Sequence, residues 1–110
     1  MSAELDFYCR EAISGRTTVD KVLESDEFLA FRHTKPKWET HIVVVPKRHV
    51  TSLVDQTLSE DELTALMRAV RQIADQVLSD KGECRVVTNL GRYQDSRHLH
   101  FHVTAGERRQ

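Results

Sequence analysis

Long apolar runs are missing from this chain: its hydrophobic stretches are no longer than Ile42-Val43-Val44-Val45. A bilayer-spanning helix needs about 20 such residues, so no membrane partner is expected. Cysteine is also scarce. Cys9 and Cys84 stand far apart and form no C-x-x-C pair that would hold zinc. The start, Met1-Ser2-Ala3-Glu4-Leu5-Asp6, has neither the basic region nor the apolar stretch of an export signal, so both thiols are expected to be reduced and the location cytoplasmic. Neither sign of charge dominates: 16 basic against 17 acidic residues give a formal charge of -1. That offers no global field for nucleic acid, and Lys47-Arg48 and Arg108-Arg109 read as solvated surface. With only four glycines and two prolines there is no linker or low-complexity segment, and the 110 residues are expected to form one domain with a single core.

What is present is a row of histidines. Residues 98 to 103 read His98-Leu99-His100-Phe101-His102-Val103. In an extended strand successive side chains point to opposite faces, so Leu99, Phe101 and Val103 enter a core while three imidazoles share the other side, about 7 Å apart. Imidazole takes or gives a proton near neutral pH, so such a row suits nucleophilic, acid–base or metal-binding chemistry. A purification tag would be an uninterrupted run of histidines, which this is not.

The rest of the chain reads as α+β. Leu5 to Ile13 suits a short N-terminal helix closed by Ser14-Gly15. Thr18 to Glu24 and Phe28 to Phe31 suggest a hairpin about Ser25-Asp26, and Thr40 to Val45 is the strongest strand by β-branched content, closed by Pro46. Ser59-Glu60-Asp61-Glu62 has the form of a capping box opening a long helix. Its apolar positions Leu63, Leu66, Met67, Val70, Ile73, Ala74, Val77 and Leu78 make one broad stripe, and Gly82 stops it. Cys84 to Asn89 reads as a strand, 90 to 97 as a loop, and the histidine strand completes an antiparallel sheet of about five strands covered on one face.

These motifs together resemble the histidine triad (HIT) family. Beside the His-φ-His-φ-His row, in which Thr104 takes the last apolar place, the chain has Thr40-His41-Ile42-Val43-Val44-Val45-Pro46-Lys47-Arg48-His49, similar to the family's strand and Pro-Lys-x-His ending. Asn89-x-Gly91, with Gln94 ahead of His98, resembles its loop before the triad. The resemblance implies a HIT-like fold, a homodimer, and binding of a purine nucleotide. It also implies cleavage of a nucleoside monophosphate, AMP above all, from a phosphoramidate or a dinucleoside polyphosphate through a covalent nucleotidyl-histidine intermediate. Carried over by position, His100 would be the nucleophile, and His98 and His102 would bind phosphate oxygens and manage the leaving group's proton. His41 would orient the triad, and Gln94 would contact the bridging or leaving-group oxygen. Asn89, His33, Phe31, Thr34, Asp95 and Phe7 would line the substrate. No metal or cofactor enters this scheme.

Two positions depart from the pattern. His33 stands where close relatives have an acid for the ribose hydroxyls, and a histidine cannot grip two hydroxyls bidentately. Asp95 stands where a Ser or Thr often donates to phosphate, and an ionised carboxylate repels that anion. Two further readings therefore stand beside the enzyme: a catalytically weak nucleotide-binding regulatory module, and a metal protein using the imidazole row as ligands. His49 has no visible chemical partner in sequence and reads as a surface or turn residue.

Overall fold

The computed structural model describes residues 8–109. The N-terminal helix expected over Leu5 to Ile13 appears as a single wide helical turn, Tyr8–Ile13, and its first three residues lie outside the described part. Five strands follow around one long helix: β1 Lys21–Glu24, β2 Phe28–Arg32, β3 Trp38–Pro46, α1 Glu60–Lys81, β4 Arg85–Val87 and β5 Phe101–Arg108. All neighbours are antiparallel, and the spatial order is β1-β2-β3-β5-β4. This is the α+β, HIT-like arrangement that the sequence suggests.

Local chemistry sets the boundaries. Ser25 Oγ accepts from the amides of Glu27 and Phe28 at 3.1 and 3.3 Å, which closes the β1–β2 hairpin. At the start of α1, Ser59 Oγ accepts from the Glu62 amide at 3.1 Å and Glu62 Oε1 accepts from the Ser59 amide at 3.0 Å, completing the capping box. Arg48 closes over the same carboxylate at 2.6 and 2.9 Å and holds it down to a pKa of about 2. Gly82 ends the helix at φ +81°, its amide donating to Leu78 O at 2.8 Å.

The helix buries Leu66, Ala69, Val70, Ile73 and Val77 against Ala30, Ile42, Val44, Leu99, Phe101 and Val103. Its stripe is narrower than the spacing suggests. Met67 and Leu78, at 39% and 51% exposure, flank the line of contact because a helix crossing a twisted sheet touches it along one ridge. The opposite face is not open as expected. Tyr8 and Ala12 pack there on Leu29, Phe31, Val43 and Val45. Strand alternation divides β2 and β3 between the two cores, which is why their apolar runs are unbroken.

The histidine strand also begins later than its alternation suggests. Leu99 donates its amide to Val50 O at 2.6 Å and the His98 carbonyl accepts from the His100 ring at 2.7 Å, so the 98–100 backbone is held by partners outside the ladder. Pairing starts at Phe101 and runs through Arg108, while β4 keeps only three of the expected six residues. At Gly106, φ is +86° and a Cβ would meet Glu39 Cβ at 2.9 Å. We therefore expect Gly106→Ala to lower the unfolding free energy by about 2 kcal/mol in urea titration.

Candidate functional site

Register brings the histidines together. β3 and β5 are neighbours, with Val43 opposite His102 and His41 opposite Thr104. His41, His98, His100 and His102 alternate with residues of the helix-side core, which puts their rings on the face covered by Tyr8. The His100 and His102 rings stand edge to face with centroids 4.8 Å apart, inside the roughly 7 Å expected from strand rise, and His100 precedes the regular strand.

The hydrogen-bond partners determine the tautomers. A carbonyl only accepts, so His100 donates from Nδ1 to His98 O at 2.7 Å, which leaves the lone pair on Nε2. His98 likewise donates from Nε2 to Pro46 O at 2.7 Å and keeps its lone pair on Nδ1. The Lys37 amide donates to His41 Nδ1 at 3.1 Å, so His41 carries its proton on Nε2 and donates it to His102 Nδ1 at 2.9 Å. His102 therefore holds its own proton on Nε2. The result is one imidazole with its lone pair on a buried Nε2 beside another with its N–H on Nε2. His100 and His41 are buried, and Thr88 Oγ1 braces the His100 carbonyl at 2.8 Å.

Burial favours the neutral form of His102, His41 and His33. It pushes His102 down to about 4, helped by the charges that His100 and His33 would carry, with Lys37 adding and Asp95 opposing. His41 falls to about 3, from burial first and then His33, His102 and Lys37. His33 is lowered by burial and Lys37, against Asp95.

Beside this group lies a cavity of about 330 Å3 lined by Tyr8, Phe31, His33, Thr34, Lys35, Lys37, Asp95 and Ser96. Its aromatic wall belongs to the triad as well: Tyr8 is 5.0 Å from the His100 ring, and His33 is 4.4 Å from that of His41. The Lys35 amide donates to His33 Nδ1 at 2.9 Å, so His33 offers a donor from Nε2. Ser96 carries a buried hydroxyl with no hydrogen-bond partner among the described residues.

The HIT domain profile matches residues 14–109. The chain belongs to the HIT family. It is 35% identical over 100 residues to an uncharacterized 13.2 kDa HIT-like protein of Azospirillum brasilense, covering 87% of this chain and 82% of that one. A histidine triad protein of Clostridium difficile superposes with a TM-score of 0.78 at 32% identity, over 97% and 95% of the two chains. A HIT family hydrolase of Legionella pneumophila gives 0.76 at 23% identity over 93% of each, a likeness of fold.

Against the HIT pattern, the structure gathers His100, His102, His41, His33, Phe31, Thr34 and Asp95 about one cavity and its edge. Phe7 lies outside the described residues. Asn89 is half-buried in the segment after β4. His98 engages protein with both ring nitrogens, through Pro46 O and Cys9 Sγ. Gln94 donates its amide to Thr51 O and Ser96 O at 2.8 and 3.1 Å and so braces the loop. Lys35, Lys37 and Ser96 were missed by sequence reading, although Lys35 adjoins Thr34 and Ser96 adjoins Asp95. His49 is no idle surface residue: its ring lies 5.2 Å from that of His98.

Neutral buried imidazoles make stability depend on pH. The unfolded chain binds a proton near 6.5 and the folded one only near 4 at His102 and 3 at His41, so stability rises with pH across that window and is lost as pH falls through it. Urea midpoints taken at pH 7.5 and 5 should give an unfolding free energy lower at the acid end by about 2 kcal/mol for each of the two rings. His102→Gln should flatten the dependence.

Proposed function

We propose that this HIT protein hydrolyses or transfers nucleoside monophosphates, AMP above all, from phosphoramidates or dinucleoside polyphosphates through a nucleotidyl adduct on His100. The observation that carries this reading is the tautomer of His100, whose Nδ1–H is held by the His98 carbonyl and whose lone pair is thereby on Nε2. A neutral imidazole held this way is a nucleophile that needs no deprotonation. In the first half, the Nε2 lone pair forms a bond to phosphorus and the bond to the leaving group breaks, its electron pair departing with that group. In the second half, water attacks phosphorus, the P–N electron pair returns to His100 Nε2, and the water's proton passes to solvent. Charge on the phosphoryl oxygens is met by the Nε2–H of His102, which the His41 hydrogen bond holds in place.

The cavity supports the substrate class. Phe31, Tyr8 and the His33 ring offer a stacking wall for a base, while Lys35 and Lys37 favour phosphate and outweigh the single carboxylate of Asp95. The Ser96 hydroxyl supplies the donor that Asp95 cannot give. Asp95 favours a second reading, a nucleotide-binding module of low turnover, since its charge opposes an anionic ligand. A homodimer joined along β4 belongs to the same proposal. Val86, Val87 and Leu90 leave that edge apolar and 39–45% exposed, and an edge strand of this kind suits a two-fold partner.

Intact-mass spectrometry after brief mixing with adenosine 5'-phosphoramidate, and separately with a dinucleoside polyphosphate, tests the scheme. A transient nucleotidyl adduct is expected in the wild type and none in His100→Ala, with AMP release falling by about a thousandfold or more. Ser96→Ala should lower kcat/KM by about tenfold. Saturable nucleotide binding without turnover in the wild type would favour the regulatory module. Light scattering at micromolar concentration should return twice the chain mass.

A further inference from the structure

The cavity wall holds one charged group to which the nucleotidyl scheme gives no positive task. Asp95 lines the cavity, is exposed, and makes no hydrogen bond or ion pair among the described residues, which places a bare carboxylate at the mouth. The residue after it is turned the other way. Ser96 is half-buried and its hydroxyl is closed off from solvent. Burial lowers the pKa of both His33 and His102, and in each case Asp95 opposes it, so the carboxylate lies within electrostatic reach of both rings.

Hydrogen-bond roles divide this cavity. Lys35 and Lys37 only donate. His33 Nδ1 is taken by the Lys35 amide at 2.9 Å, so the neutral ring donates from Nε2 and has no acceptor left. The hydroxyls of Thr34 and Ser96 can play either part. Among the described side chains of the wall, only the Asp95 carboxylate accepts without donating. A nucleoside monophosphate is divided in the same way. Its phosphate oxygens accept, while the two vicinal hydroxyls of its ribose are adjacent donors that one carboxylate can take together, an oxygen for each. Charge sorts the two ends further, since a carboxylate repels phosphate and strengthens the hydrogen bonds it accepts.

We infer that Asp95 is the sugar-binding residue of this site, its two carboxylate oxygens accepting the 2'- and 3'-hydroxyls of the ribose at the mouth while the phosphate lies deeper, at His100 and His102. The assignment takes its ligand from the nucleotidyl reading and rests on it. The contrast between neighbours supports it. Asp95 and Ser96, about 3.8 Å apart at Cα, present a carboxylate to the mouth and a hydroxyl to the interior, so one nucleotide lying along them meets an acceptor at its sugar and a donor at its phosphate. The opposite wall cannot exchange roles with this one, because His33, Lys35 and Lys37 bring donors alone. The repulsion between Asp95 and phosphate then orients the ligand, anion inward and diol outward, and a ribonucleotide is preferred to its deoxy forms.

Calorimetric titration with AMP and with 2',3'-dideoxy-AMP, on the wild type, Asp95→Ala and Asp95→Glu, tests the assignment. The wild type is expected to bind AMP about tenfold more tightly than the dideoxy form. Asp95→Ala should bring that ratio to about one, and Asp95→Glu, which keeps both oxygens, should retain part of it. Equal affinity for the two ligands in the wild type overturns the sugar assignment without any variant, and leaves the nucleotidyl reading standing. A preference that survives in Asp95→Ala places the diol elsewhere and overturns it as well. If Asp95→Ala tightens both ligands by the same factor, Asp95 acts only as a repelling charge and the assignment falls. Wild-type protein that binds neither ligand and forms no adduct on His100 sinks the nucleotidyl reading itself, and the assignment with it.

Discussion

The hydrogen bond from His100 Nδ1 to the His98 carbonyl organises the rest of the functional face. It removes that carbonyl from the sheet ladder, delays β5 until Phe101, and commits His100 to one tautomer. The segment that loses ladder bonds is compensated from outside: Val50 takes the Leu99 amide and Thr88 takes the His100 carbonyl. Buried backbone groups must find partners, so a side chain bonding to its own strand forces neighbouring loops to supply the missing ones. The turn after β3 and the end of β4 are thereby drawn to the site.

A second line of order runs through neutral rings. From the Lys37 amide through His41 to His102, each bond fixes the direction of the next, and burial keeps protons from entering the chain. Protonating His102 at Nδ1 would set two N–H groups against each other, which reinforces the neutral state. A set of imidazoles that ionised freely would repel one another and scatter their donors. A set held neutral keeps one lone pair and one N–H aimed as the chemistry requires.

Much of this was legible in the sequence where the cause is local. The capping box at Ser59, the stop at Gly82, the β-branched run of β3 and the alternation at 98–103 all act over a few residues, and each appears where the pattern puts it. What stayed hidden is set by contacts between distant segments. The late start of β5 depends on Val50, the covered second face depends on Tyr8 and Ala12, and the work of His98 and Gln94 depends on Pro46, Cys9 and Thr51. No spacing in the chain relates Cys9 to His98. The loop cations Lys35 and Lys37 were nearer to view, since they lie within three residues of Thr34, but charged loop residues read as solvated surface until a cavity is seen between them.

The contact between Cys9 and His98 joins residues 89 positions apart. Closing so long a loop is among the costlier entropic steps for a small domain, and such contacts form late in folding. During synthesis the N-terminal turn leaves the ribosome long before its partner exists, so the covered face of the sheet is assembled only when the last strand arrives. The His100 ring thus acquires its orientation at the end of folding, and a partly made chain does not yet hold its tautomer in place.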